Sequence, residues 1–248
     1  MSRLEGKVAL ITGGARGQGA EEGRLFASHG AKVVLTDVLD EEGEATAASI
    51  DGATYRHLDV TSESEWQSVV DGVMSDHGHL DVLVNNAGID LVKKLLATTL
   101  EDFERVVAIN QRGTFLGMRT VAEALSKAEL PGSIINISSV AGLEGVANHG
   151  VYTGSKFAVT GLTKAAAKEW GRYGIRVNSV HPGIIETPMT AGLRPFTDDE
   201  VKVKVERSIP IGRVGQSIDI ANMVLFLASE ESSYCTGQAF TVDGGVHS

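Results

Sequence analysis

Residues 7–37 read KVALITGGARGQGAEEGRLFASHGAKVVLTD, and this stretch decides the fold. It opens on a continuous apolar run, Lys7 to Thr12, as a strand buried on both faces requires. A glycine turn follows Thr12, with Gly13, Gly17 and Gly19 spaced as Thr-Gly-x-x-x-Gly-x-Gly. Glycines there let backbone approach a pyrophosphate and let a helix pack close to the strand. The next segment puts Leu25 and Phe26 on the apolar side of a helix, and free N–H groups at its start favour phosphate. The spacing departs from the common Gly-x-Gly-x-x-Gly, and a glycine turn alone is a weak sign of nucleotide binding. A second apolar run, AKVVLTD, ends at Asp37. That is close to the ~20 residues at which an acidic side chain meets an adenosine ribose. Asp40 is the better cap for a helix over 40–50, which leaves Asp37 for the ribose.

Outward from this stretch, strands and helices alternate. A strand TYRHLDV ends at Asp59 and Val60, and Thr61 or Ser62 caps a helix over 62–77 in which Trp66 packs into the core. A strand LDVLVNNAG ends in Asn85-Asn86-Ala87-Gly88, at the strand end where parallel sheets bind ligands. A helix pair over 99–128 holds Asn110, unfavourable in a helix interior, so this residue bends the helix, bonds to a neighbour or holds water. Then come a strand over 133–138, a helix over 151–173, and a strand IRVNSVH halted by Pro182-Gly183. A helix over 217–229 and a strand AFTVDGG close the chain. The order predicts an α/β fold of one domain, residues 1–248: a Rossmann-type, doubly wound parallel β-sheet with helices on both faces. Residues 186–208 lack periodicity apart from a short helix near 198–206, as expected of a substrate-binding loop or lid. Met189, Leu193, Pro195 and Phe196 make that loop apolar, suited to a bulky hydrophobic substrate.

Composition narrows the function classes. The 248 residues are 42% hydrophobic and 22% charged, ordinary for a globular domain. A net charge of −10 argues against nucleic acid and anionic membrane as partners. No apolar run approaches the ~20 residues of a membrane span, and the N-terminal run flows into the glycine turn without the cleavage site of a signal peptide. Cys235 is the single cysteine, so no internal disulfide can form and a reduced cytoplasmic setting fits. No His/Cys/carboxylate spacing suggests a metal.

Chemistry concentrates in residues 139–156, SVAGLEGVANHGVYTGSK. Tyr152 and Lys156, four apart, share one helix face, and Ser139 ends the preceding apolar run. A strand end and a helix face can bring hydroxyl, phenol and ammonium to one point, making a general acid/base set. Tyrosine has an unperturbed pKa of ~10. An ammonium ~4 Å away, at an effective dielectric of ~20, would favour the phenolate by ~4 kcal/mol, enough for a downward shift of roughly two to three units. A Tyr-x-x-x-Lys pair also arises by chance, so its weight comes from the rest of the chain.

With these residues in place, the chain resembles the short-chain dehydrogenase/reductase family over nearly its whole length. The likeness rests on the Thr12 to Gly19 turn, Asp59, Asn85 to Gly88, Asn110, Ser139, Tyr152-x-x-x-Lys156, Pro182-Gly183 with Thr187, and Asp243-Gly-Gly245. Within the family it is most similar to bacterial hydroxysteroid dehydrogenases and ketone reductases, through GGARGQGAE, HLDVT, RVNSVHPG, TPMT and SSYCTG.

The resemblance implies an NAD-dependent oxidoreductase that interconverts a secondary alcohol and a ketone, with a hydrophobic or cyclic, steroid-like substrate. It implies that Tyr152 is the general acid/base, that Lys156 lowers the tyrosine pKa and binds the nicotinamide ribose, and that Ser139 bonds the substrate oxygen. Asn110 would fix a water on a proton path. The implied NAD site comprises Gly13, Arg16, Gly17, Gln18 and Gly19, then Asp37 and Val38, and Asp59 and Val60 at the adenine. Asn86 at a ribose, with Ala87 and Gly88, continues it. Tyr152, Lys156, Pro182, Gly183, Ile185, Thr187 and Met189 complete it, with Thr187 and the Ile185 backbone at the carboxamide. His149 lies at the substrate mouth or in a solvated loop, and Val140, Leu143, Met189 and Leu193 would form an apolar wall. Trp170 and Tyr173 pack where relatives dimerise, and the family implies a homotetramer. Arg16 stands where NADP-preferring relatives carry a basic residue, whereas Asp37 favours NAD. Arg16 can reach a phosphate, pair with Asp37 or point into solvent. The competing enzyme is an NADPH-dependent 3-oxoacyl-[acyl-carrier-protein] reductase, opposed by the −10 charge and by Asp37. A silent nucleotide-binding protein would be expected to lack Tyr152 or Lys156, and both are present.

Overall fold

The computed structural model describes residues 2–247, apart from the side chains of Arg194 and Pro195. The run at 7–12 forms β1 (Val8–Thr12), every residue of which is buried. Its side chains alternate between two cores, as a pleated strand dictates. Leu10 joins Trp66, Leu83, Leu116 and Ile134 on one face, while Ile11 joins Phe26, Val84, Ile135 and Leu225 on the other. The glycine turn then leads into α1 (Gly17–Ser28), which buries Phe26.

The remaining elements are β2 (Lys32–Asp37), α2 (Asp40–Ala48), β3 (Ala53–His57), α3 (Glu63–His77), β4 (Val82–Asn85), α4 (Leu100–Val106), α5 (Thr114–Ala128), β5 (Gly132–Ile137), α6 (Gly150–Trp170), β6 (Ile175–Pro182), β7 (Ile185–Glu186), α7 (Arg194–Thr197), α8 (Asp199–Ser208), β8 (Gly215–Gln216), α9 (Ser217–Ala228) and β9 (Ala239–Val242). Seven strands make one sheet in the order β3-β2-β1-β4-β5-β6-β9, and every pairing is parallel. Strand order reverses between β1 and β4, so a crevice opens beyond their carboxyl ends.

Several local expectations change. Asp40 does not cap α2: Leu39 occupies that position, and the Asp40 carboxylate instead takes the Tyr55 hydroxyl at 2.8 Å and His57 Nδ1 at 2.7 Å. The third strand stops at His57, leaving Asp59 and Val60 in the loop where they can face the crevice. Ser62 caps α3, accepting the Glu65 N–H. Between α4 and α5 the helix widens into π-type turns over Val107–Gly113, centred on Asn110. Within the segment 186–208, the short helix expected near 198–206 is α8, capped by Asp198, and β7, which the sequence did not mark, pairs with β8.

Glu22 of α1 is 0% exposed, and among the described residues neither carboxyl oxygen has a hydrogen-bond partner. Burial pushes this carboxyl well above the usual carboxylate range. The folded chain therefore holds a proton there that the unfolded chain releases, so stability falls as pH rises from ~4.3 through the raised folded pKa. Replacing Glu22 by Leu is expected to stabilise the protein at pH 8 by about 1–3 kcal/mol, which raises Tm by several degrees. The gain should shrink as pH falls toward the unfolded carboxylate pKa. Thermal melts of both proteins at several pH values check this; a variant less stable at every pH would rule it out.

Candidate active site

The glycine turn and the end of β4 are tied together by Thr12. Its hydroxyl oxygen accepts the Asn86 N–H at 3.1 Å and the Ala87 N–H at 3.0 Å. The Asn86 amide donates back to the carbonyls of Thr12, at 2.9 Å, and Gly13, at 3.2 Å. Gly13 has φ +65°, and a Cβ on it would stand 2.8 Å from Asn86 Nδ2 and 2.9 Å from Ala87 Cα. Gly17 has φ +61° at the start of α1, and a Cβ on Gly19 would collide with the Gly13 carbonyl. Glycine is therefore required where the backbone turns and where α1 meets the sheet.

These residues form one end of a cavity of about 610 Å³, within the ordinary range for ligand pockets. Its wall includes Arg16, Gln18, Asp37, Val38, Asp59, Val60 and Gly88 along one half, and Ser139, Tyr152, Lys156, Gly183, Ile185, Thr187 and Met189 along the other. The sequence singled out each of these. Gly19 instead packs helix on strand. Val140, Leu143, His149 and Leu193, expected at the substrate, lie outside this wall, which stops at Ser139 where that residue caps the short turn Val140–Gly142. The expectation for Pro195 falls outside the described residues.

Asp37 ends β2 with its carboxylate held by backbone. Oδ2 accepts the Ala15 N–H at 3.2 Å, and Oδ1 accepts those of Val38 at 2.8 Å and Leu39 at 3.2 Å. Arg16 reaches neither Asp37 nor open solvent alone: Nη1 lies 3.5 Å from Glu42 Oε2, in a pair about half exposed on both sides. Such a pair contributes ~0–1 kcal/mol and leaves the arginine free to swing.

At the other end, α6 carries Tyr152 and Lys156 one turn apart. Lys156 is 4% exposed; its Nζ donates to the Ile137 carbonyl at 2.8 Å and sits 5.6 Å from the Tyr152 ring centroid. Burial holds the ammonium down to about 8, against the opposing charge of Asp90. Burial pushes the Tyr152 phenol up to about 12; a hydrogen bond with Ser139 works downward and the Asp90 charge works upward. This reverses the lowering anticipated from the Tyr-x-x-x-Lys spacing. Desolvation is the largest cause of the rise, and the Lys156 ammonium is engaged with a backbone carbonyl.

Asn110 is 0% exposed, and its amide is committed to neighbours. Oδ1 accepts the Ile89 N–H at 2.9 Å, while Nδ2 donates to the Ile89 carbonyl at 2.9 Å and to Ser155 Oγ at 3.1 Å. It thus fastens the loop after Gly88 to α6, one of the roles open to it from sequence.

The sequence left three supporting residues unassigned. His181 is 0% exposed in β6. Nδ1 lies 2.7 Å from the Ser139 carbonyl, which only accepts, so the proton is on Nδ1 and Nε2 accepts from Ser179 Oγ at 2.8 Å. Burial holds this imidazole down to about 4, which keeps that tautomer neutral at ordinary pH. Thr190 donates to the Ile185 carbonyl at 2.7 Å and accepts the Thr187 N–H at 3.0 Å, shaping the cavity wall there. Asp90 lines the cavity and meets His149. It stands two residues after Asn85-Asn86-Ala87-Gly88 in the chain, the one signal that could have drawn attention to it. Among the described residues no group of three metal-ligating side chains occurs, and no helix is long and apolar enough to cross a membrane.

Comparison with known proteins follows the same lines. A family model described as enoyl-(acyl carrier protein) reductase matches residues 13–247. The chain is 49% identical to a 3-alpha-(or 20-beta)-hydroxysteroid dehydrogenase of Mycobacterium tuberculosis, covering 98% of this chain and 90% of that protein. It is 44% identical to a trans-4-hydroxycyclohexanecarboxylate dehydrogenase of Sinomonas cyclohexanicum, over 98% of this chain and 93% of the relative. A cyclopentanol dehydrogenase of Comamonas testosteroni is 41% identical, with 99% and 98% covered.

Proposed function

The chain belongs to the short-chain dehydrogenase/reductase family, as an alcohol dehydrogenase interconverting secondary alcohols and ketones, and on that premise we propose that it is NAD-dependent and acts on hydrophobic cyclic substrates. The observation that carries this is the single cavity joining the glycine turn and Asp37 to Ser139, Tyr152 and Lys156. The turn fits a dinucleotide, because side chains at Gly13 and Gly19 would occupy backbone the cradle needs. Arg16, Gln18, Asp37, Asp59, Val60 and Gly88 would hold its adenosine half, and Lys156, Gly183, Ile185 and Thr187 its other half. When bound, a nicotinamide dinucleotide would supply or accept the hydride.

The chain's own residues handle the proton. In ketone reduction, the Tyr152 Oη–H bond breaks and its proton goes to the carbonyl oxygen, which becomes the alcohol. In oxidation, Oη takes the alcohol proton as the carbinol C–H is cleaved. Ser139 holds the reacting oxygen, and His181 steadies Ser139 through its carbonyl. Lys156 places a buried positive charge near the phenol, favouring the phenolate as it forms. Met189 and the segment 186–208 would cover an apolar substrate and exclude water. The ring substrates named for the three relatives support the cyclic class. Phe115 of α5 and Phe157 of α6, 42% and 46% exposed, support burial between copies in a homotetramer.

A panel of cyclic, linear and charged alcohols and ketones, assayed by nicotinamide absorbance with NAD and NADP, tests the proposal. Cyclic secondary alcohols should be the best substrates, with NAD. Turnover confined to 3-oxoacyl thioesters, or to small charged alcohols, would overturn it.

A further inference from the structure

Asp90 is a second polar feature of the cavity that the hydride and proton steps do not use. It lines the same wall as Ser139, Tyr152 and Lys156. Its Oδ1 accepts the Leu91 N–H at 2.7 Å and faces His149 Nδ1 at 3.0 Å. Among the described residues no donor reaches Oδ2. The carboxylate is also held in place. Lys93 N–H donates to the Asn148 carbonyl at 2.7 Å, and a strand-like bridge joins Lys93 to His149. The His149 ring in turn stands edge-on to Tyr152, centroids 6.2 Å apart. A carboxylate with one oxygen engaged and the other free is a pre-formed acceptor beside the reacting centre.

We propose that Asp90, oriented by His149, is a specificity subsite for a hydrogen-bond donor on the substrate, so that the preferred substrates are neutral ring alcohols carrying a second hydroxyl. This rests on the reading that the cavity converts cyclic secondary alcohols. Asp90 opposes an anionic substituent, and Lys156 in the same cavity opposes a cationic one, which leaves a neutral donor as the group that fits. The Asp90 charge acts on both Tyr152 and Lys156, in keeping with its placement beside them. A site built to accept a hydroxyl discriminates against an analogue lacking it more strongly than an apolar pocket distinguishes a methylene.

The test compares kcat/KM for cyclohexane-1,4-diol, 4-methylcyclohexanol and 4-hydroxycyclohexanecarboxylate. The full-length wild-type enzyme should favour the diol over the methyl analogue by at least ~10-fold, as a hydrogen bond to a charged acceptor supplies, and should use the carboxylate least. Asp90→Val should bring the diol-to-methyl ratio near unity and improve the carboxylate relative to both. His149→Phe should lower the ratio in part. Because the ratio is internal to each protein, a general loss of activity does not move it, and the wild-type comparison stands even if a variant fails to fold. A wild-type ratio near unity, or one unchanged in Asp90→Val, overturns the subsite while leaving the dehydrogenase reading intact. No turnover of any ring alcohol by the wild-type enzyme overturns that reading and the subsite with it.

Discussion

Tyr152→Phe is expected to lower kcat by at least ~10³, the upper part of what a general acid or base supplies, while leaving dinucleotide affinity close to wild type. The substitution removes one oxygen and keeps the ring against His149 and Lys156. Among the described residues no other phenol lines the cavity, and Ser139 is an alcohol of far higher pKa. The raised phenol adds a pH signature. With Tyr152 held up to about 12 by burial, the protonated form dominates at neutral pH. That form is the acid that ketone reduction needs, whereas alcohol oxidation needs the phenolate. Oxidation should therefore accelerate as pH rises from neutral into the alkaline range, while reduction should hold level until pH approaches about 12. In Tyr152→Phe the oxidation dependence should disappear along with the rate. Steady-state kinetics in both directions, with nucleotide affinity measured by fluorescence, check the result. Retention of a tenth or more of wild-type kcat in the variant, on the scale of general acid/base effects, would remove Tyr152 from the chemistry.

What was legible in the sequence was local. Leu10 and Ile11 announce a doubly buried strand because a pleat sends neighbours to opposite faces, and both cores here are apolar. Tyr152 and Lys156 could be paired because four residues make one helical turn. The features that were not legible depend on residues far apart in the chain. Asp40 looked like a helix cap because capping is a local rule, but Tyr55 and His57 on β3 claim its carboxylate. His181 reaches Ser139 across adjacent strands of the sheet. Asp90 and His149 meet where Asn110 fastens the loop after Gly88 to α6 and Lys93 bridges to His149. The strands β7 and β8 are two residues each, too short for periodicity to mark. The direction of the Tyr152 shift failed for a related reason. Helical spacing predicts that an ammonium is near, but not that burial raises the phenol or that the ammonium donates to the Ile137 carbonyl.

NAD is expected to be preferred over NADP by at least ~10² in kcat/KM, or about 2.7 kcal/mol. Asp37 is the reason. Three backbone N–H groups fix its carboxylate at the end of β2 on the cavity wall, so it cannot turn away from an approaching anion. A 2′-phosphate would bring a charge of about −1.5 to −2, by analogy with phosphorylated side chains. At ~4 Å and an effective dielectric of ~20, each unit of that charge meets ~4 kcal/mol of repulsion before screening. The ribose hydroxyls of NAD would instead donate to the same carboxylate. Arg16 works the other way, since its guanidinium lines the cavity and its pairing with Glu42 is too exposed to hold it. Glu42 limits that help, because an arginine that leaves it exposes a second carboxylate near the phosphate. Asp37→Ala should therefore relax the preference toward parity, and Arg16→Ala should weaken NADP use more than NAD use. Kinetics with both cofactors on the three proteins decide the matter. A wild-type enzyme that favours NADPH, or an Asp37→Ala variant that keeps the NAD preference, would show that discrimination lies elsewhere in the cavity.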